Sequence, residues 1–157
     1  MTKIKKPEIT SLVKHKKAFH DYEILEAYEA GIVLTGEEVK SIRAGQINLK
    51  GSFVDTFNEE AFLNGAHVSR YKYTANKAYE PTRKRKLILH NKEILKIGES
   101  INQKGVTAVP LEIYLKKGLI KVSIGICRGK KLYDKRESLK KRETEREIQR
   151  QLKRLKD

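Results

Sequence analysis

Apolar residues along this chain recur at two spacings, every second position in some stretches and every third or fourth in others, and the changes of spacing mark out the elements. From His20 onward Tyr22, Ile24, Glu26 and Tyr28 alternate with Glu23, Leu25 and Ala27, which predicts a strand. Gly31-Ile32-Val33-Leu34 is a second apolar strand segment, after which the spacing turns helical. Thr35 suits the helix N-cap, and Glu38, three residues on, completes a capping box. Val39 and Ile42 fall on one face of this helix while Lys40 and Arg43 point away. Gly45 stops it, and a new strand starts near Asn48. The segment reads as strand, basic helix, strand, with Lys40, Arg43 and Lys50 at the surface. A basic helix plugging one end of a sheet is a way to build a small barrel that holds RNA.

The remaining pattern is mostly strand. Ser52–Phe57 and Ala61–Val68 flank a tight turn at Asn58-Glu59. Tyr71–Arg85 has no period and reads as a long loop, with Tyr71, Tyr73 and Tyr79 among Lys72, Lys77, Arg83, Lys84 and Arg85. Leu87-Ile88-Leu89 is a short strand. Asn91–Lys104 is helical, with Ile94, Ile97 and Ile101 on one face and Gly105 as its stop. Val109, Leu111, Ile113 and Leu115 share one side of the next strand, where Pro110 marks an edge or a bulge. Lys116-Lys117-Gly118 turns the chain, and Ile120, Val122, Ile124 and Ile126 return, with Lys121 and Ser123 outward. This order predicts a mainly β fold with helices, a small antiparallel OB-fold-like barrel, with an open α+β sandwich as the alternative.

Three parts follow: a basic N-terminal arm over residues 1–19, a barrel core over 20–128, and a basic tail over 129–157. The arm carries Lys3, Lys5, Lys6, Lys14, Lys16 and Lys17 against Glu8 alone, and is expected to be ordered only where it meets the core. The tail has a net charge of +6 and a thin apolar stripe of Ile148, Leu152 and Leu155. It is expected to be disordered alone and helical when a partner supplies a surface.

Charge sharpens this picture. The 157 residues carry a formal net charge of +15, which points to a polyanion. Nucleic acid fits better than a membrane, because no apolar run approaches a spanning length. No signal peptide is expected, and the single cysteine, Cys127, fits a reducing cytoplasm.

No catalytic or metal constellation emerges. His15, His20, His67 and His90 are scattered, and Gly125 to Gly129 lacks the spacing of a phosphate loop. His20-Asp21 looks like a base with its orienter, but neighbours on a strand face opposite ways, so a packed or RNA-facing His20 is the plainer reading. Glu37-Glu38 reads as charge favourable to the helix dipole. The positive signal is three basic groups: the arm, the run Arg83-Lys84-Arg85-Lys86, and the tail. One such run is ordinarily a solvated face. Three, with surface tyrosines among them, favour phosphate contacts and base stacking. Ile88 in this setting is either core or an apolar contact to a splayed nucleotide.

These residues also carry a resemblance. HDY at 20–22, YEAGIVLTGEEVKSIRAGQINLKGSF at 28–53, PTRKRKLILH at 81–90 and KVSIGICRGKKLYDKRE at 121–137 resemble the small protein B (SmpB) family, the tmRNA-binding or SsrA-binding proteins of bacteria. The likeness runs from about Lys14 into the tail. It implies an OB-fold that is not an enzyme, needs no cofactor, and acts as an adaptor of trans-translation. Such an adaptor grips the tRNA-like part of tmRNA, reaches stalled ribosomes with elongation factor Tu, and sends its tail into the decoding centre and empty mRNA channel. Transferred by motif, Glu29, Ile88 and Lys121 matter for tmRNA. His20, Tyr22, Lys40, Arg43, Arg83, Arg85 and Lys86 are the further RNA-facing candidates. The ribosome-binding motif falls on Gly129, Lys130, Lys131, Asp134, Lys135 and Arg136. Three positions depart from the family pattern: His15 where Asn is common, Phe19 where a basic residue is usual, and Ile88 for Leu. A permanent ribosomal protein with a basic extension is the rival in another class. A nuclease is disfavoured by the missing catalytic set.

Overall fold

The computed structural model describes residues 8–75, 77–130 and 132–155. Its frame is the hairpin of β8 (Val106–Lys116) and β9 (Leu119–Gly129). Lys117 and Gly118 close it with φ of 51° and 75°, the left-handed pair that a two-residue hairpin turn requires. β2 (Tyr22–Ile32) pairs antiparallel with β9. β7 (Arg85–Ile88), β5 (Glu60–Asn64) and β4 (Phe53–Phe57) follow in turn, and β4 reaches β8 through Val54 and Ala108. The pairing of β8 with β9 closes the circuit into a ring, so the antiparallel OB-type barrel forms and the open sandwich does not. Asn58 and Glu59, with φ of 49° and 60°, make the turn between β4 and β5 that their sequence predicts.

The segment expected as an arm ordered only where it meets the core does meet it over its described part. β1 (Ile9–Lys14) pairs with the outer half of β8, from Glu112 to Lys116, beyond the point where β4 leaves that edge. Leu12 and Val13 pack on the core there, and a free strand edge outweighs the polar composition. Lys3, Lys5 and Lys6 lie outside the described residues. α1 (Lys16–Asp21) follows, and it places His20 and Asp21 on a helix rather than a strand. His20 Nδ1 therefore does reach Asp21 Oδ1, at 2.8 Å, because helical neighbours need not face opposite ways.

α2 (Gly36–Arg43) has the capping box: Thr35 N–H donates to Glu38 Oε1 at 3.0 Å and Glu38 N–H to Thr35 Oγ1 at 3.3 Å. Its buried face is Glu38, Ser41 and Ile42, not Val39 with Ile42, because an arginine pair draws Glu38 inward. α3 (Asn91–Ile101) buries Ile94 and Ile97 against β4, β8 and β9 and fills the ring from one end. Two short strands, β3 (Ile47–Asn48) and β6 (His67–Val68), pair apart from the ring. α4 (Leu132–Arg154) carries the tail as one helix.

A bulge between Pro110 and Glu112 changes which face of β8 looks inward. Val106, Ala108 and Ile113 join the main core, whereas Val109 and Leu111 pack with Ala18 and Cys127 in a second cluster. A single side for Val109, Leu111, Ile113 and Leu115 is thus corrected. Burial there pushes the Cys127 thiol up to about 11, which keeps it protonated. Gly125 pairs with Val109 just before this bulge, and a Cβ on it would sit 2.8 Å from Leu111 Cδ1. Gly125→Ala is therefore expected to cost about 1–3 kcal/mol by overpacking. Urea unfolding with a lower midpoint and an unchanged slope is the expected result.

Candidate nucleic-acid interface

Strand register decides what can meet on the outside of the ring. Gly31 on β2 lies opposite Ile88 on one side and Lys121 on the other, and Lys121 lies opposite Tyr114. Directly opposed residues share a face, so Ile88, Gly31, Lys121 and Tyr114 form a row across β7, β2, β9 and β8. Ile88 is 60 % exposed, which settles it as a surface residue rather than core. A Cβ at residue 31 would stand 3.2 Å from that of Ile88, so glycine keeps the row open at its middle. Arg43 reaches the same place from the end of α2, where its guanidinium donates to the Gly118 carbonyl at 3.1 Å. Together Gly31, Val39, Arg43, Ile88, Leu119 and Lys121 line a groove of about 380 Å³, with cations beside an apolar wall.

Glu29 lies two residues before Gly31 on the same face. The Tyr114 hydroxyl donates to its carboxylate, and Lys116 Nζ lies 3.1 and 3.2 Å from its two oxygens. The Tyr114 bond, then Lys116 and the nearby Lys121 charge, hold this carboxyl below its usual range despite some desolvation. Burial and the Glu29 bond push the Tyr114 phenol up, so it remains a donor. The Glu29 carboxylate is thereby matched by its own neighbours. Lys116, read from the sequence only as part of a turn, is the lysine that pairs with Glu29. Tyr114 and Gly31 were also missed as site members, although the outward alternation of Tyr114 was visible.

The other candidates lie in several places. Lys86, outward on β7 beside Ile88, pairs with Glu60 at 2.8 Å. Arg83 contacts Glu38 at the foot of the loop and lines a second cleft with Lys40, Thr35, Glu37, Tyr79 and Glu80. Lys40 stands over the Tyr71 ring at 5.2 Å. Arg85 is a correction: expected at the RNA surface, it is fully buried. Alternation along β7 turns Lys86 and Ile88 outward and Arg85 and Leu87 inward. Its guanidinium donates to Glu38 and to the carbonyls of Ala66, Pro81 and Arg83 at 2.9–3.0 Å, tying down the loop.

His20 and Tyr22 stand at the opposite end of β2 from Gly31, and Tyr22 packs on the second cluster. Gly129 pairs with Tyr22, and the Lys130 N–H donates to the Asp21 carbonyl at 2.9 Å. Lys131 lies outside the described residues, as do the side chains of Asp134 and Lys135; Arg136 is exposed. Leu139, Ile148, Leu152 and Leu155 are 45–84 % exposed, so α4 presents its apolar stripe uncovered. No group of three His, Cys, Asp or Glu is arranged to hold a metal among the described residues, and no helix among them is long and apolar enough to cross a membrane.

Comparison with known proteins bears on this surface. The family model described as SmpB protein matches residues 12–154. An SsrA-binding protein of Ligilactobacillus salivarius is 51 % identical over 148 residues, covering 94 % of this chain and 96 % of that one. One of Sulfurihydrogenibium is 53 % identical over 139 residues, covering 88 % and 91 %. A solved chain described under "tmRNA-SmpB: a journey to the center of the bacterial ribosome" is 45 % identical and superposes with a TM-score of 0.66, covering 76 % of this chain and 85 % of its own.

Proposed function

The chain belongs to the SmpB family, and from that membership we propose that it is an RNA-binding adaptor of trans-translation, taking tmRNA to stalled ribosomes. The observation that carries this on the molecule itself is the row of Ile88, Gly31, Lys121 and Tyr114 with Arg43 above it. Glu29, Ile88 and Lys121, far apart in sequence, meet on one face of the barrel. Lys121 and Arg43 neutralise phosphates, and Ile88 packs on a ribose or an unstacked base. Glu29 positions Tyr114 and Lys116 as donors rather than meeting phosphate itself. Lys40, Lys86, Arg83, His20 and Tyr22 extend the contact. Gly129, Lys130, Lys131, Asp134, Lys135 and Arg136 start the tail that enters the decoding centre and mRNA channel. Elongation factor Tu joins the delivered complex, and the setting is the cytoplasm. The family is one of RNA-binding proteins, and the role needs no chemistry from this chain.

Titration with the tRNA-like domain of tmRNA at several salt concentrations tests this. Log affinity is expected to fall linearly with log salt, by about 0.9 per phosphate neutralised. Lys121→Ala should lower that slope by about 1 without moving the thermal midpoint. Glu29→Ala should weaken binding at every salt concentration. Unchanged binding in both variants would remove the groove as the site, and salt-independent affinity would remove the electrostatic mechanism.

A further inference from the structure

α3 fills one end of the ring, and where it meets the end of β4 it leaves a groove of about 220 Å³ beside the Asn58-Glu59 turn. None of the contacts described above uses it. Ile94 lines it as part of the core, only 7 % exposed, whereas Phe57 from β4 and Leu95 from α3 line it while 64 % and 58 % exposed. Helix and strand are pressed together here, since a Cβ at Gly98 would stand 3.0 Å from Thr56 Oγ1. The groove is thus a fixed apolar surface that the fold does not cover.

Charge narrows what can fill it. The charged residues that line it are Glu59 and Glu99, both acidic, on a chain of net charge +15. Two carboxylates repel phosphate, so the groove does not suit the RNA that the rest of the surface attracts. It suits an apolar row accompanied by cations, and α4 presents one. Arg142 and Arg146 of α4 face α1, where they line a cleft with Lys14, Lys16 and Phe19. Ile148 follows Arg146 by two residues, about 200° around the helix, so it points away from α1. Leu152, one turn on, and Lys141, two turns back, lie on the Ile148 side, and all three are exposed. While α4 rests on α1, this row is not available to its own barrel.

We propose that this groove takes α4 of a second copy of this chain. Ile148 and Leu152 of one copy cover Phe57 and Leu95 of the other, in the way an amphipathic helix fills an apolar groove. The tail's cations, Lys141 among them, answer Glu59 and Glu99. Each copy offers one groove and one helix, so two copies exchange tails about a twofold axis. The contact is small, which makes the pair weak and transient. It shields the apolar row of the tail until another surface claims that row, and it leaves the Ile88 groove open. The pairing does not depend on the RNA-binding reading.

Paramagnetic broadening between two samples of the full chain tests it, on protein freed of nucleic acid so that RNA cannot bridge two copies. One sample is unaltered and isotope-labelled for amide NMR; the other is unlabelled and carries a nitroxide on Gln151→Cys. Cys127 is fully buried, so the nitroxide reagent goes to the new thiol. In the mixture, amides of residues 57–59 and 94–99 of the labelled chain should broaden, increasingly with concentration. Leu95→Ser or Glu99→Lys in the labelled chain, both at exposed positions, should weaken the pairing about tenfold or more, and Ile148→Ser in the nitroxide chain should do the same. Unchanged dispersion of the spectra checks that each variant is folded. Broadening only when nitroxide and isotope share one chain would mean that the tail folds back on its own barrel, and would overturn the proposal. Broadening centred elsewhere on the barrel, or none at any concentration, would overturn it as well.

Discussion

Glu38→Gln is expected to destabilise the chain by about 3–5 kcal/mol, although it changes one charge and almost no volume. Glu38 and Arg85 are 1 % and 0 % exposed at the side chain, and Arg83 closes the cluster at its rim. Neutralising the carboxylate leaves the Arg85 guanidinium enclosed with carbonyls but no counter-charge. Arg85 cannot escape to water, because its remaining N–H groups pin Ala66, Pro81 and Arg83 in the loop ahead of β7. Glu38 also closes the capping box of α2, so the same substitution weakens the helix N-terminus. Arg85→Met should cost a similar amount and free the loop. The double variant should cost less than the two losses added, since each single change strands the other partner.

The pH dependence carries a sign that checks the mechanism. Burial raises the Glu38 carboxyl, but the bonds from Arg83, the Thr35 N–H and Arg85 outweigh it and leave it below the usual range. A lowered folded value means stability that is complete above the ordinary carboxylate range and lost as pH falls through the lowered one. The gap between the unaltered chain and Glu38→Gln should therefore shrink on acidification. A gap that stays constant from neutral pH into acid would show that packing rather than the ion pair carries the effect.

This cluster also marks where the sequence is legible and where it is not. The capping box of Thr35 and Glu38, the turns at Asn58-Glu59 and Lys117-Gly118, and the apolar face of α3 are local, and local chemistry reads directly. The closure of the barrel follows from alternation in β2, β8 and β9. What the sequence hides depends on partners distant along the chain. Arg85 sits in a run of cations that reads as surface, yet the alternation that buries Leu87 also buries Arg85, and only Glu38, 47 residues away, makes that tolerable. β1 hides among lysines because its place is an unpaired stretch of β8. The bulge at Pro110 was foreseen as a possibility, but not the exchange of faces that moves Val109 and Leu111 to the second cluster. Glu29, Ile88 and Lys121 stand on one face of the barrel, while their neighbours Tyr114 and Lys116 needed the register to be found.

Removing the tail after Lys130 is expected to leave tmRNA affinity within about tenfold and to abolish tagging on stalled ribosomes. The ring and its core are complete by Cys127, and ending at Lys130 keeps the bond from its N–H to the Asp21 carbonyl. The tail after Lys130 carries +5 of the +15, so about +10 remains to attract RNA. α4 in turn has few apolar residues, and Leu139, Ile148 and Leu152 on it, with Leu155 just after it, are all exposed. A helix whose stripe is uncovered gains little from packing, so it is expected to be marginal by itself and to order where ribosomal RNA supplies both surface and phosphate. Circular dichroism of a peptide spanning 131–157 should accordingly show little helix in dilute buffer. Exchanging Lys130, Lys135 and Arg136 between Lys and Arg should preserve tagging better than replacing them with Gln, since phosphates read charge first. The deciding comparison is tmRNA affinity against peptide tagging for the shortened chain. Loss of both would make the tail part of the tmRNA site, and full tagging would take it out of the mechanism.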